Sequence, residues 1–431
     1  MNTFTIYFFR LARTFVVIAT IMISGCDILN VSNPNSLVEI DLDNPASASA
    51  LANGAEATLT RALGSVLAAS STVSDELTWI GTRDAWLELN QGRTVSTTNE
   101  FVDEAFSNLS EARWTADFAI EKLIRFRSQG SLRSVDPLVH AYIIGAVTYL
   151  TIADHFEDFV LSDRTVSSPP IGKENIGMLY QTALVYLNNA LELAPLGSPL
   201  YIRALAVRAR LHHAKALREK LAPEIQISHP LVSSQLAADD AIAALGFIGG
   251  TNWRYEIIVS PQTPGNSLAF NVNTRLELRI GTTYGQPTTD QTRLHQVTLS
   301  DPIDGIPAPS LVAAVNEFVS SGQYANVTVV SKRELLLILS EHALALNNGE
   351  FSGYINQLRE LDGLTLYEDQ ISARELLIHS RQVNLFLQGR RLADLYRFEL
   401  TSPQWVSSIQ TVGAFFPITI SEINANPYVN F

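Results

Sequence analysis

A mainly α-helical fold, assembled from paired helices with one loop and short-strand region set between them, is what this 431-residue sequence predicts. Three observations carry that expectation. Apolar residues recur at helical spacing through most of 44–246 and again through 331–398. Capping residues stand where those stripes begin, and glycine, asparagine or proline where they stop. Between the two helical tracts, 247–330 turns rich in Gly, Pro, Thr and Asn. The length exceeds that of one usual compact domain, so two lobes or one extended helical array is expected; the 46% apolar fraction is ample for a core.

The first residues stand apart. Arg10 and Arg13 precede the apolar run Phe15-Val16-Val17-Ile18-Ala19-Thr20-Ile21-Met22-Ile23, which is too short to span a bilayer comfortably and reads as a signal-peptide core. Ile23-Ser24-Gly25-Cys26 follows directly and resembles the lipobox of bacterial lipoproteins, whose cysteine thiol takes a diacylglycerol and becomes the mature N-terminus. Residues 1–25 are therefore expected to be a leader and Cys26 the lipidation site. Acyl chains there would hold the protein at a membrane, at about 0.8 kcal/mol per buried methylene. Cys26 is the sole cysteine, so no intrachain disulfide and no cysteine-based zinc site can be built. Residues 26–43, polar and bearing Asn33-Pro34-Asn35, suit a tether to a body covering 44–431.

Helices begin with Asn44 as a cap and Pro45 at the first helical position, and alanine-rich sequence runs on to Ala69. Ser74-Asp75-Glu76 leads into the short apolar run around Trp79 and a polar connection bearing Trp86. Glu100 to Arg127 forms the next helix, with Phe101, Ala105, Leu109, Ala112, Ala116, Ala119 and Leu123 on one side and Gly130 as its stop. From Pro137, Leu138 to Leu150 is apolar nearly all round; Asp154, Glu157 and Asp158 in the same segment mark it as a buried helix rather than a membrane span. Helices follow near Asn175–Ala194, Pro199–Lys220 and Ser233–Leu245. Small residues at Ala183, Ala204, Ala209, Ala214, Ala241 and Ala343 allow close helix approach. These are tetratricopeptide-like hairpins of irregular period rather than a true tandem repeat.

Loops and brief strands, such as the alternating Arg275-Leu276-Glu277-Leu278-Arg279, fit 247–330 better than helices. A segment of that kind is a candidate for function. Ser331 and Glu334 then form a capping box, and Leu336, Leu339, Ala343 and Leu346 recur up to Asn347-Asn348-Gly349. Phe351, Tyr354, Ile355, Leu358 and Leu361 make the returning helix, ending at Asp362-Gly363. A second box, Ser372 with Glu375, opens a long helical segment that closes on Gln388-Gly389-Arg390-Arg391-Leu392-Ala393-Asp394-Leu395-Tyr396-Arg397. Asp394 lies within helical reach of Arg390 and Arg391, so that charge set reads as a surface ion-pair cluster. The tail, 399–431, is apolar and then turn-like, and is expected to dock on the body.

The formal charge of −13 argues against a nucleic-acid partner, since no basic field exists to displace counterions. No Gly-x-Ser-x-Gly elbow, His-Glu-x-x-His pair or phosphate-binding glycine loop is present, so no enzyme activity and no cofactor are expected. His212-His213 sits in a helix with its adjacent side chains pointing differently, and no metal site is expected there.

Phe416-Pro417-Ile418-Thr419-Ile420-Ser421-Glu422-Ile423-Asn424-Ala425-Asn426-Pro427 resembles the Phe-Pro-Ile-Pro-x-x-Glu-Ile-x-x-Asn-Pro ending of the SusD/RagB family of nutrient-binding lipoproteins, with Thr419 in place of the second proline. Arg381 to Arg397 resembles that family's Arg-x-x-Glu-Leu-x-x-Glu-Gly-x-Arg-x-x-Asp-Leu-x-Arg helix, with Asn384 and Gln388 at the glutamate positions. Ser331–Leu364 resembles its leucine-rich hairpin, Ala141–Leu161 its aromatic helix and following turn, and Ser74-Asp75-Glu76 its early Ser-Asp-Glu step. The resemblance implies a helical body of tetratricopeptide-like units on the outer membrane, facing the exterior. It also implies a partner, a SusC-like TonB-dependent transporter to which a captured glycan, oligosaccharide or peptide is handed. The alternative is a lipid-anchored helical-repeat scaffold for envelope assembly. Sugar capture uses aromatic faces and planar polar groups. The candidates are Trp79, Trp86, Trp253, Tyr255 and Tyr284, with Asn252, Arg254 and Gln286 as hydrogen-bonding neighbours. Trp79, in an apolar run, reads more as core; for Trp86, Trp253 and Tyr284 packing and binding stand level.

Overall fold

The computed structural model describes residues 42–163, 166–221, 225–287 and 295–429. It divides into two units, 1–47 and Ala48–Phe431. The leader, Cys26 and the tether up to residue 41 lie outside the described residues. In the first unit the Asn44 side chain accepts the Ala46 N–H at 3.0 Å, as an N-cap does, and the turn that follows, Pro45–Ser47, is a 3-10 helix.

The second unit is built on α1 (Ala48–Val73), α2 (Asp84–Asn90), α3 (Glu100–Ser128), α4 (Asp136–His155), α5 (Gly177–Leu193), α6 (Pro199–Leu221) and α7 (Gln235–Ile248). The α3 stripe is buried as the spacing predicts, Asn99 caps it through the Phe101 and Val102 N–H groups, and Gly130 ends the segment at φ +67°. Helix α4 is long and apolar enough to cross a bilayer, yet 83% of its apolar window is buried inside the protein, so its uniform apolarity reflects contact on several sides. It packs on α1, α3, α5 and α6, and α6 packs on α7. Gly145 lets α4 and α5 meet, since a Cβ there would lie 2.9 Å from the Tyr186 ring. Of the six small residues expected at helix contacts, Ala183, Ala204, Ala209, Ala241 and Ala343 are buried and Ala214 is half-buried.

Residues 247–330 depart from the expectation of loops and strands alone. They hold helices α8 (Ser267–Asn273) and α9 (Pro309–Ser320). Asn266 caps α8 by accepting the Ala269 N–H, and Pro309 starts α9, which buries Leu311, Val315 and Phe318 at helical spacing. The surrounding Gly and Pro masked both. The strands are β1 (Leu77–Trp79), β2 (Arg254–Ile257), β3 (Leu278–Ile280), β4 (Gly285–Pro287), β5 (His295–Val297) and β6 (Val327–Ser331). They form three antiparallel pairs: β1 with β3, β2 with β6 and β4 with β5. Long-range pairing thus ties the inserted region to both helical tracts.

Ser331 caps α10 (Lys332–Leu346) by accepting the Glu334 N–H at 3.2 Å, and Asn347 closes it in the left-handed conformation. Helix α11 (Phe351–Glu360) returns against it. Ser372 caps α12 (Ala373–Asn384), but the long helix expected to continue from it does not. Leu387 and Gly389 take φ of +57° and +77°, and the chain resumes only at α13 (Arg391–Arg397). The ion cluster expected on a helix surface is buried. Asp394 pairs with Arg381 and Arg397, Arg391 with Asp75, and Arg390 with Glu334, because the break turns α13 into the interior against α1 and α6. The tail docks as expected. The Phe416 N–H donates to the His155 carbonyl and its own carbonyl accepts the Glu157 N–H, both at 2.9 Å, and α14 (Ile420–Ala425) rests on α3.

Candidate ligand-binding cleft

Strands β2 and β6, helix α9 and the broken segment after α12 enclose a cleft of about 270 Å³. Its floor is apolar, with Leu67, Leu268, Phe318 and Leu387. Its walls carry amides, hydroxyls and paired charges. Strand alternation decides which β2 side chains reach it: Arg254 and Glu256 line the cleft, while Tyr255 and Ile257 point into the core. Arg254 grips Glu317 of α9 with two parallel bonds of 2.9 and 3.0 Å and stands 3.6 Å from Glu256. Burial raises the Glu256 pKa, with Arg254 opposing and Glu317 adding to it. On the opposite wall Arg333 makes two bonds of 2.8 and 2.6 Å to Asp362 and a third of 2.8 Å to the side-chain Oδ1 of Asn384. Gln388 donates to the Asn384 backbone carbonyl at 3.1 Å, and its own Oε1 is buried without a donor.

Buried charges fix the wall that Leu387 and Gln388 belong to. Glu76 accepts the Leu387 N–H at 2.7 Å and the Ser71 hydroxyl at 3.0 Å. Burial pushes its pKa up to about 7 against that backbone donor, with Asp75 adding to the rise. Asp75 takes two bonds of 2.7 Å from Arg391. Arg390 clamps Glu334 at 2.9 and 3.1 Å and reaches the Val329 carbonyl at 2.9 Å. Burial alone would raise Glu334, but Arg390 and then Arg210 hold it below the usual carboxylate range. Asp75 with Arg391 and Glu76 with the Leu387 N–H therefore brace this wall on one side, and Glu334 with Arg390 braces it on the other.

The candidates from the sequence separate into three groups. Asn252 and Arg254 line the cleft, and Trp253 beside them is half-buried with its carbonyl accepting the Lys332 N–H at 2.9 Å. Trp86, Tyr255 and Tyr284 are core residues and present no ring face to a ligand. Trp86 stacks on Phe101 at 3.6 Å between ring centres, Tyr255 lies under the Arg203 guanidinium, and Tyr284 packs on Phe386 with its hydroxyl 3.4 Å from Asp75. Trp79 and Gln286 lie off the cleft. Trp79 is half-buried on β1, and Gln286 is exposed on β4 opposite Gln296. Sequence reasoning missed Glu256, Ser310, Glu317, Thr328, Arg333, Asn384 and Gln388 as a set. They come from four distant segments, and the available signal was that Asn384 and Gln388 replace two glutamates of the resembling pattern.

The chain is thus a paired-helix scaffold with an inserted strand-and-helix region that encloses a polar cleft. Its fold is the one found in SusD superfamily proteins. It is similar to a SusD superfamily protein of Bacteroides thetaiotaomicron (TM-score 0.63, 14% identity, 90% of this chain and 99% of that one). A SusD superfamily protein of Bacteroides vulgatus matches at TM-score 0.59 and 17% identity over 90% and 98% of the two chains. A SusD-like carbohydrate binding protein of the same organism matches at TM-score 0.55 and 13% identity over 83% and 84%. No family profile and no curated protein matches the chain.

Proposed function

We propose that this protein is a non-catalytic capture lipoprotein, anchored through Cys26 on the outer membrane, that holds a nutrient glycan in the cleft between β2, α9 and 384–388 and passes it to a SusC-like TonB-dependent transporter. The observation that carries the reading is the convergence of Asn252, Arg254, Glu317, Arg333, Asn384 and Gln388 on one cleft. Planar amide, guanidinium and carboxylate groups of that kind match the alternating donors and acceptors of sugar hydroxyls. Support comes also from the fold shared with a protein described as a carbohydrate binding protein. Peptide is the second cargo the same groups would accept.

The test is an array of glycans and peptides followed by calorimetry on the hits. Glu317→Ala lowers affinity at least about tenfold, since a lost hydrogen bond to a charged group is worth about 1.5–3 kcal/mol, and Asn252→Ala lowers it about two- to tenfold, a neutral bond being worth about 0.5–1.5 kcal/mol. A ligand that binds with unchanged affinity to both variants removes the cleft from the reading. Turnover of a polysaccharide that E256Q and E317Q abolish removes the non-catalytic assignment. Failure to retain any barrel transporter in detergent pull-downs removes the partner.

A further inference from the structure

We propose that a second cavity is a binding site for one monatomic anion of the chloride class. It lies where α6 meets the end of α4, the tail and the segment 389–393, and measures about 40 Å³. Asp154, Arg210, Arg218, Glu334, Arg381 and Arg390 line it, four guanidinium groups against two carboxylates.

Following each cation to its partner leaves one over. Arg210 meets Asp154 at 3.0 Å and Arg390 meets Glu334 at 2.9 Å. Arg381 and Arg397 share Glu341 and Asp394. Arg218 has no carboxylate within ion-pair distance among the described residues, so the cluster holds five guanidinium groups to four carboxylates. Its Nη2 donates to the Phe156 carbonyl at 3.1 Å, and its Cζ lies 3.7 Å over the Phe415 ring. Its Nε and Nη1, and the Nε of Arg210, are buried with no acceptor. Both side chains are more than nine-tenths buried, at 7% and 5% exposure.

A guanidinium cannot shed its charge as a lysine can, so burial without a counter-charge has no escape by deprotonation. The face of Phe415 supplies part of the compensation and a carbonyl another part. What remains is a guanidinium with no ion-pair partner and three donor nitrogens beside a cavity that holds a few water-sized spheres, at about 10–15 Å³ each. That space takes a halide. The anion would sit against the residue that joins α6 to the end of α4 through Phe156 and to the tail through Phe415.

The experiment has two arms. Crystals of the wild-type protein grown in bromide are measured at the bromine edge, with an anomalous peak expected in contact with Arg218 Nε or Nη1. Thermal unfolding is followed in chloride and in gluconate at equal ionic strength; chloride at tenfold its Kd raises Tm by about 2 °C, and Arg218→Gln abolishes that increment. A cavity filled by water alone, bromide at the surface as an adventitious ion only, or an undiminished chloride increment in R218Q overturns the proposal. If R218Q does not fold, the wild-type bromide map decides alone.

Discussion

Replacing Glu341 by glutamine separates the buried charge network from the ordinary surface pairs of this protein. Glu341 is fully buried in α10 and accepts hydrogen bonds from Arg397, from Arg381 at 3.3 Å, from His213 at 3.1 Å and from the Val232 N–H at 2.8 Å. Burial alone would raise its pKa, yet Arg397 and its other cationic neighbours hold it well below the usual range, so it is a carboxylate at neutral pH. Glutamine keeps the shape and one acceptor. It also removes a negative charge that two guanidinium groups share with Asp394 and turns N–H donors toward them. Removing one partner of a buried pair costs about 3–5 kcal/mol. At roughly 2.1 cal/mol/K of unfolding entropy per residue, that lowers Tm by about 4–6 °C for a unit of this size. The matched control is Glu111→Gln, which breaks the half-exposed pair with Arg61 and costs about 0–1 kcal/mol. Differential scanning calorimetry of the two variants decides the point: equal Tm values would mean that the buried network contributes no more than a surface pair, and the reasoning fails.

Gly389→Ala places a Cβ 2.7 Å from Leu67 Cδ2 and 2.8 Å from His155 Nε2 at φ +77°, so urea denaturation is expected to show a loss of about 2–4 kcal/mol from strain and overlap together. The folded-state pKa of Glu76, raised to about 7, means that the folded form binds more protons than the unfolded form between about pH 4.5 and 7. Stability therefore falls as pH rises through that window, and Glu76→Gln removes this contribution, read as a smaller difference between denaturation midpoints at pH 5 and pH 7. Glu334, Glu341 and Asp394 act in the opposite sense. Their lowered pKa values give stability that is present above the usual carboxylate range and lost as pH falls through the folded values, so acid unfolding below about pH 4 is expected to shift upward in E341Q. On the proposed anchoring, Cys26→Ser is expected to move the protein from the membrane pellet to the soluble fraction, and the mature wild-type N-terminus is expected to carry acyl mass by mass spectrometry; an unacylated, membrane-bound mature protein would refute the anchor.

Outside 247–330, helices were legible where a stripe and a cap coincided. Ser331 and Ser372 each accept the N–H group that starts their helix, and Asn347 stops α10 as its sequence suggests. The break after Asn384 was not legible, because nothing local forbids a helix through Leu387. Its positive φ is held by a distant carboxylate, Glu76, bonded to the Leu387 N–H. Burial of the charges was hidden for the same reason: Asp394 is three residues from both Arg391 and Arg397, and sequence spacing cannot tell that α13 turns inward. Aromatic side chains were the poorest guide to the cleft. Trp86 and Tyr284 stand in polar or glycine-rich sequence, yet each finds an aromatic partner, Phe101 and Phe386, and is core.

Asn384 and Gln388 are one turn apart in sequence, and both departures from the resembling pattern come to the same cleft wall. A glutamate at 384 would place a second carboxylate on Arg333, whose charge Asp362 already meets through two bonds. An amide leaves that balance at one to one and offers an oxygen to Arg333 and an N–H to the Ser380 carbonyl. At 388 a carboxylate could not donate to the Asn384 carbonyl, as the amide does. Carboxylates only accept, whereas amides both donate and accept. Exchanging one for the other therefore lowers the negative charge of the wall and lets its side chains bond to the backbone that positions it.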